Sequence, residues 1–447
     1  MNLWPHQVRG LAQARDEFKR GNKWVCVVMA TGAGKTILGA AAAKAHHEKV
    51  SAGKVLWIAH REELIGQAFD TLTEAGLSCG VIQARPCRIV NPYRPVQVAS
   101  VQTLTARELI VDGVTLFIYD ECHHSASEGW SKYALGYKDR GAYGLGLTAT
   151  PKRSDDLPLG DVYDALVCPI TMAELIDQDF LVPYELIRPK KPLKRGQIAQ
   201  HPVAAYRENA EGRKAIVFAS NIVAGTLFRD QFREAGYSAE IITGNTDAST
   251  RMNVLERYKR GEIQILTNVG VLTEGFDDRP TSCVILARAV GSVSLYLQMC
   301  GRGLRTSPNS GKTNAILIDL YGSSWKHGKP DEDRIYSLDG DGIRRKKLDY
   351  GPERFCAICG VSLEPDMDAC PECGTEGAGR MAPEVVNAPL VKYARMRQRD
   401  DEQRASDLRR WIVDAQVAKH KVGRALYKYK AVYGDWPPDH IKRMASH

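Results

Sequence analysis

No run of about 18 apolar residues occurs anywhere in the 447-residue chain, so no membrane-spanning helix and no membrane partner are expected. The opening MNLWPHQVRG lacks the charged-then-apolar layout of a secretory signal, and a cytoplasmic location is expected. No short-period internal repeat is present, which sets repeat arrays aside. A disulfide scaffold is missing too. Of the eleven cysteines, Cys26, Cys168 and Cys283 lie in apolar stretches and one tight group sits late in the chain, a usage that fits a reducing compartment. We find no carboxylate–lysine pattern of the nuclease kind. The composition, 44% apolar and 26% charged over this length, is that of a globular chain of two or three domains.

Charge is unevenly spread. Residues 377–447 hold 15 Lys and Arg against 8 Asp and Glu, a surplus of seven out of the formal +8 of the whole chain. A basic surplus in one segment suggests a polyanionic partner; a solvated helical face would read the same way.

Along residues 1–155, apolar runs alternate with helix-like stretches: WVCVVM (24–29), VLWIA (55–59), VQVAS (96–100), TLFIYD (115–120) and GLGLTAT (144–150). Short continuous apolar runs are what parallel strands covered on both faces look like. The alternation restarts after PKKPLKRG (189–196), with AIVFAS, AEIIT, IQILT, SCVILA and AILIDL between 215 and 320. An α/β fold of two lobes joined by a linker follows, expected at 1–190 and 191–345. A four-cysteine segment at 350–378 and a basic helical tail at 383–447 complete the expected layout.

Directly after the first apolar run stands ATGAGKT (30–36). The strict P-loop pattern wants a further glycine where Met29 stands, so the signal alone is incomplete. Its setting between strand and helix strengthens it. Backbone amides along Thr31, Gly32, Ala33 and Gly34 are placed to meet phosphate oxygens, the helix from Ile37 to Ala45 points its positive end at the anion, and Lys35 and Thr36 supply a cation and a Mg²⁺ ligand. FIYDECHH (117–124) ends an apolar strand in two acids: Asp120 to hold Mg²⁺ and Glu121 to polarise a water attacking the γ-phosphate. In QMCGRGLR (298–305), Arg302 and Arg305 lie three apart on a helix, suited to neutralising charge across a cleft.

Taken in order, Gln7, ATGAGKT, AHREEL (59–64), DECHH, LTATP (147–151), TNVGVLTEGFD (267–277) and QMCGRGLR resemble the motif set of superfamily-two helicases of the DEAD/DEAH type. The resemblance spans residues 1 to about 320. It implies two RecA-like lobes with ATP between them and single-stranded nucleic acid across both. By motif matching, Gln7 would read adenine, Gln298, Gly275 and Asp277 would border the nucleotide, and His123 with Thr148 to Thr150 would couple nucleotide state to nucleic-acid grip. Trp4 departs from the arginine common in relatives, and its ring would stack on the base. Arg61, Ser100, Thr103 and Thr267, near strand ends, would bond phosphates without reading bases. Each hydroxyl taken singly also reads as a helix cap.

Cys356-x-x-Cys359 and Cys370-x-x-Cys373 form a separate constellation. Two CxxC corners with trailing Gly360 and Gly374 suit tetrahedral Zn²⁺ in a closed, structural site; an iron–sulfur cluster or a redox dithiol pair would use the same residues. Together with LTATP, HGKPDEDRIYSLDG (327–340) and GDWPP (434–438), this ribbon resembles the RadD-like group of bacterial and phage DNA-repair helicases. That resemblance implies DNA in preference to RNA, other repair or single-strand-binding proteins as partners, and a bacterial or phage-infected cell. In the tail, Trp411, Tyr427 and Tyr429 alternate with Arg409, Arg410, Lys428 and Lys430, a composition for stacking bases or for a helical hairpin packed on the ribbon. The expected function is an ATP-dependent DNA helicase or translocase in repair or recombination. A nucleic-acid-stimulated remodelling ATPase, without strand separation, is the alternative.

Overall fold

The computed structural model describes residues 2–84, 90–124, 128–151, 158–194, 196–272, 275–339, 383–395 and 401–417, with short pieces at 343–344, 354–355, 362–363 and between 425 and 445. The first lobe runs α1 (Pro5–Lys19), β1 (Trp24–Val28), α2 (Lys35–Lys49), β2 (Lys54–Ala59), α3 (Glu62–Glu74), β3 (Cys79–Ile82), β4 (Val96–Ser100), α4 (Val101–Ala106), β5 (Val114–Asp120), α5 (Glu128–Asp139), β6 (Tyr143–Thr148), β7 (Ala165–Val167) and α6 (Met172–Asp177). Its strands are parallel and stand in the order β3-β4-β2-β5-β6-β1-β7. Every residue of β1 is buried, as a strand covered on both faces requires. Because the strands are parallel, the loops after β1, β2, β4, β5 and β6 open on one edge of the sheet, and the expected lobe-one motifs after Gln7, which lies on α1, leave from that edge.

The second lobe contains β8 (Tyr184–Pro189), β9 (Gln197–Ile198), α7 (Pro202–Ala210), β10 (Ala215–Ala219), α8 (Ile222–Glu234), β11 (Ala239–Ile242), α9 (Ala248–Lys259), β12 (Ile265–Asn268), β13 (Cys283–Ala287), α10 (Val293–Leu304), β14 (Ala315–Asp319) and α11 (Ser323–His327). Three small pairings follow: β15 (Ile335–Tyr336) with β16 (Ile343–Arg344), β17 (Arg354–Phe355) with β18 (Ser362–Leu363), and β19 (Glu384–Val385) with β9. A last strand, β20 (Leu390–Arg395), returns to the main sheet, whose order is β11-β12-β10-β13-β14-β8-β20. This is the strand order of the first lobe again. β8 stands where β1 stands, and β20 fills the place of β7, although β20 is antiparallel to its neighbour where β7 is parallel.

Two expected boundaries are corrected by this topology. The first lobe does not extend to 190, because Tyr184–Pro189 is the second sheet's own equivalent of the first strand; the connection lies earlier, around α6. Nor is 383–447 helical throughout, since β19 and β20 belong to lobe two. The segment carrying the four cysteines is therefore inserted before the second sheet is complete. Arg395 fixes its return: 5% exposed, it reaches Asp177 on α6 at 3.1 Å and pairs with Asp331, which also accepts from the Tyr184 hydroxyl. Cys356, Cys359, Cys370 and Cys373 lie outside the described residues, although β17 and β18 bracket the first pair. Further on, α12 (Asp401–Val417) is helical as expected, and Trp411 and Tyr429 are buried in a small apolar cluster with Leu408 and Ile441. These two rings are core of that cluster and are not presented for base stacking, whereas Tyr427 and Lys430 lie outside the described residues. No described helix is long and apolar enough to cross a membrane.

Candidate active site in the cleft between the lobes

Strand β1 ends at Val28, and Met29 continues its ladder by donating to the Thr148 carbonyl at 2.9 Å. The missing glycine of the pattern thus falls on the strand side of the turn, where none is needed. The chain then turns through Gly32 (φ 91°) and Gly34 (φ 78°), conformations open to glycine, and α2 begins at once with Lys35. The helix is longer than expected at both ends, and its first turn points into the cleft. Lys35 is 9% exposed; its Nζ lies 3.6 Å from Glu121 Oε1 and donates to the Met29 carbonyl at 3.3 Å. These two acceptors hold the ammonium where a phosphate would replace them.

At the end of β5, Glu121 adopts φ 53°, a left-handed conformation that costs a non-glycine residue roughly 1–3 kcal/mol. That strain aims its carboxylate along the cleft floor. Glu121 Oε2 is 3.4 Å from His123 Nδ1, which is 2.9 Å from Thr148 Oγ1. Thr148 donates to the Thr150 carbonyl at 2.7 Å and accepts from the Thr150 amide at 3.1 Å. With its one proton so committed, Thr148 can only accept from the histidine, so Nδ1 carries the hydrogen. His123, Thr148 and Thr150 thereby form one chain linking the DECHH and LTATP segments.

From lobe two, the Gly275–Asp277 turn and the end of α10 face the loop. Arg302, in the last turn of α10, donates to the Phe276 carbonyl; Arg305, just past the helix end, reaches the same carbonyl at 3.4 Å and pairs with Asp277. Both arginines, Gly275 and Asp277 border the cleft opposite Lys35, Thr36, Asp120 and Glu121, and the space enclosed, mouth included, is about 1010 Å³. Thr36 and Asp120 present hard oxygen donors on the same wall, a set that suits Mg²⁺. Gln298 is buried on α10.

Other expected residues are placed differently. Gln7 is 1% exposed, with its amide held by protein: Oε1 accepts from the Trp4 amide at 2.8 Å and Nε2 donates to the Gly34 carbonyl at 3.1 Å. Ser100 is the cap of α4, accepting from the Thr103 amide, and both hydroxyl residues are buried. Thr267 is 0% exposed within β12. All three are buried, Ser100 and Thr103 because the end of β4 also begins α4, and Thr267 because it lies inside β12. Arg61 donates across the cleft to the Val271 carbonyl at 2.8 Å. Residues that the motifs did not single out also line the cleft, among them Gln67 on α3, Phe180 between the lobes, Arg279 and Thr306. Gln67 had a faint signal: with Glu63 it makes a polar i, i+4 pair beside the apolar positions Leu64, Ile65 and Ala68.

Residues 1–153 match the type III restriction enzyme res subunit family, and residues 197–307 match the helicase conserved C-terminal domain, one match on each lobe. The chain is similar to the superfamily-two helicases. It is an ATP-hydrolysing enzyme, and the matched segments carry Lys35, Asp120, Glu121, Arg302 and Arg305. A 51.5 kDa protein of a Lactococcus phage (isolate 7-9) is 26% identical over 444 residues, covering 93% of this chain and 94% of the phage protein. IRC3 of Saccharomyces cerevisiae, whose name assigns it to the ATP-dependent helicases, is 28% identical over 349 residues. That match covers 69% of this chain but half of IRC3. A solved fragment assigned as the HsdR subunit of a type I restriction enzyme from Vibrio vulnificus YJ016 shares the fold, with a TM-score of 0.59 and 23% identity over 76% of this chain and 70% of the fragment.

Proposed function

We propose that this chain is an ATP-driven DNA translocase or helicase of the RadD-like kind, acting in repair or recombination. The observation that carries the reading is the opposition, across one cleft, of Lys35 and Glu121 from lobe one and Arg302 and Arg305 from lobe two. Lys35 binds the β- and γ-phosphates, Glu121 orients and polarises the attacking water, and the arginines stabilise charge that develops on the transferred phosphoryl group. Mg²⁺ held by Thr36 and Asp120 would supply further neutralisation of phosphate charge. Since the arginines belong to the opposite lobe, hydrolysis is tied to closure, and the His123–Thr148–Thr150 chain is suited to carry that change away from the phosphate.

DNA as the track, and repair as the setting, rest on the motif resemblance and on the basic surplus of the C-terminal segment. The four cysteines are proposed to hold a structural Zn²⁺, supported by their CxxC spacing and by the β17–β18 ladder around the first pair; bound zinc measured in the purified protein tests this. Forked DNA and forked RNA offered with ATP test the motor. Strand separation on DNA is expected, whereas hydrolysis stimulated by DNA without separation would favour a remodelling ATPase, and activity on RNA alone would overturn the DNA assignment.

A further inference from the structure

We propose that the nucleotide site is tolerant of the base, so that the enzyme accepts nucleoside triphosphates as a class and adenine is one of several bases it turns over. The inference rests on the motor reading and deepens it by naming the substrate range of the same site.

Gln7 points away from the cleft, toward the phosphate loop. Its amide is engaged at both ends, with Trp4 on one side and the Gly34 carbonyl on the other, and the Ala33 carbonyl lies 3.5 Å from Nε2. Packing around it is tight: a Cβ added at Gly34 would come within 2.2 Å of Nε2. Its neighbour His6 is 0% exposed, with Nε2 3.0 Å from the Ala33 carbonyl. Both side chains brace the outer side of the phosphate loop, and neither contributes to the cleft wall. To meet a base edge, Gln7 would have to leave a buried position and uncover the loop it supports.

Two rings face the cleft instead. Trp4 and Phe180 lie with centroids 5.0 Å apart at 37°, and Phe180 is set edge-on against His6 at 4.7 Å and 77°. Both line the same space as Lys35 and Glu121. An aromatic platform binds the face of a base and not its edge, and stacking strengthens binding by roughly 5- to 100-fold per base whichever base it is. A site built to hydrogen-bond a base edge rejects analogues by about 10⁴-fold or more, whereas shape alone discriminates by about 10–200-fold. The phosphates, common to all nucleoside triphosphates, would then provide most of the recognition.

The test is steady-state hydrolysis of ATP, GTP, CTP and UTP by the purified full chain with Mg²⁺ and saturating single-stranded DNA. We expect kcat/KM values within about a hundredfold of one another. Trp4→Ala and Phe180→Ala should each raise KM by a similar factor for all four substrates, about 5- to 100-fold. Gln7→Ala should weaken all four alike, because it acts through the phosphate loop. A preference for ATP above about a hundredfold, or a Gln7→Ala loss confined to ATP, would overturn the inference while leaving the motor intact. Absence of hydrolysis with every nucleotide would instead remove the motor reading on which the inference stands.

Discussion

Gln67 of lobe one donates from Nε2 to the Gly275 carbonyl of lobe two at 2.6 Å, one residue before the carbonyl that holds both arginines. The approach is close enough that a Cβ at Gly275 (φ 73°) would sit 3.0 Å from Glu63 Cβ. The closed cleft is thus registered on a turn that also aims Arg302 and Arg305. Gln67→Ala should lower kcat about 2- to 10-fold, the worth of one neutral hydrogen bond, with a smaller change in nucleotide affinity. Gln67→Glu, which keeps the length but cannot donate, should behave like the alanine variant. Steady-state kinetics alongside nucleotide binding checks both, and normal kcat in the alanine variant would remove the latch.

Lys35→Ala and Glu121→Gln should each nearly abolish hydrolysis by different routes. Loss of the ammonium removes a contact made already in the bound state, so binding weakens as well; the glutamine keeps its shape but cannot polarise water, so binding persists. Fluorescent-nucleotide titration next to turnover separates the two, and near-normal turnover in either variant would contradict the assigned roles.

Arg302→Ala and Arg305→Ala should lose roughly a thousandfold or more in turnover while nucleotide affinity changes little, as for charge met only in the transition state. The contrary result is equal loss in affinity and turnover, which would make the arginines ground-state binders.

Beside this pair, burial pushes the Lys312 ammonium down to about 7, with Arg305 and Arg213 adding to the effect and Asp278 opposing it. Its Nζ donates to the Arg279 carbonyl at 3.0 Å and to that of Thr281. Because the unfolded chain holds this proton up to the ordinary lysine range and the folded chain releases it near 7, unfolding binds a proton between the two values, and stability from this residue rises with pH across that window. Wild type should therefore gain thermal stability relative to Lys312→Met between pH 7 and about 9. Parallel melting temperatures at the two pH values would show that the amine is not desolvated.

The phosphate chemistry was legible in the sequence because it restricts residue type: only glycine suits the turns at 32 and 34, and only an acid serves at 120 and 121. The strands of the first sheet that are covered on both faces were legible as apolar runs. β8 and β20 were not, because YELIRP and LVKYAR mix charges into the strand, and β20, an edge strand, has exposed positions such as Val391 and Lys392. Ser100 shows the limit at the site: a hydroxyl after a strand caps the next helix or meets a phosphate, and only packing decides. Gln7 shows another, since the motif gives the residue but not the direction of its amide.

The second lobe of the motor ends with β20, beyond the last nucleotide motif. All nucleotide motifs lie before residue 320, which invites a truncation near Gly351 as a minimal motor. Such a cut removes β20 and exposes the edge of β8, the second sheet's counterpart of the phosphate-loop strand. It also removes Arg395, leaving Asp331, 9% exposed in its side chain, without its guanidinium. Removing one member of a buried ion pair typically costs about 3–5 kcal/mol, a large fraction of the stability of an ordinary domain. A chain ending at 351 should therefore melt well below full length or fail to stay soluble, whereas one ending at 400 should keep lobe two. Arg395→Ala in the full chain separates the ion pair from the strand: it should lower the melting temperature and partly loosen α6, which Asp177 ties to β20. If the 351 and 400 truncations melt alike and hydrolyse ATP alike, β20 is an accessory strand and the second lobe is complete without it.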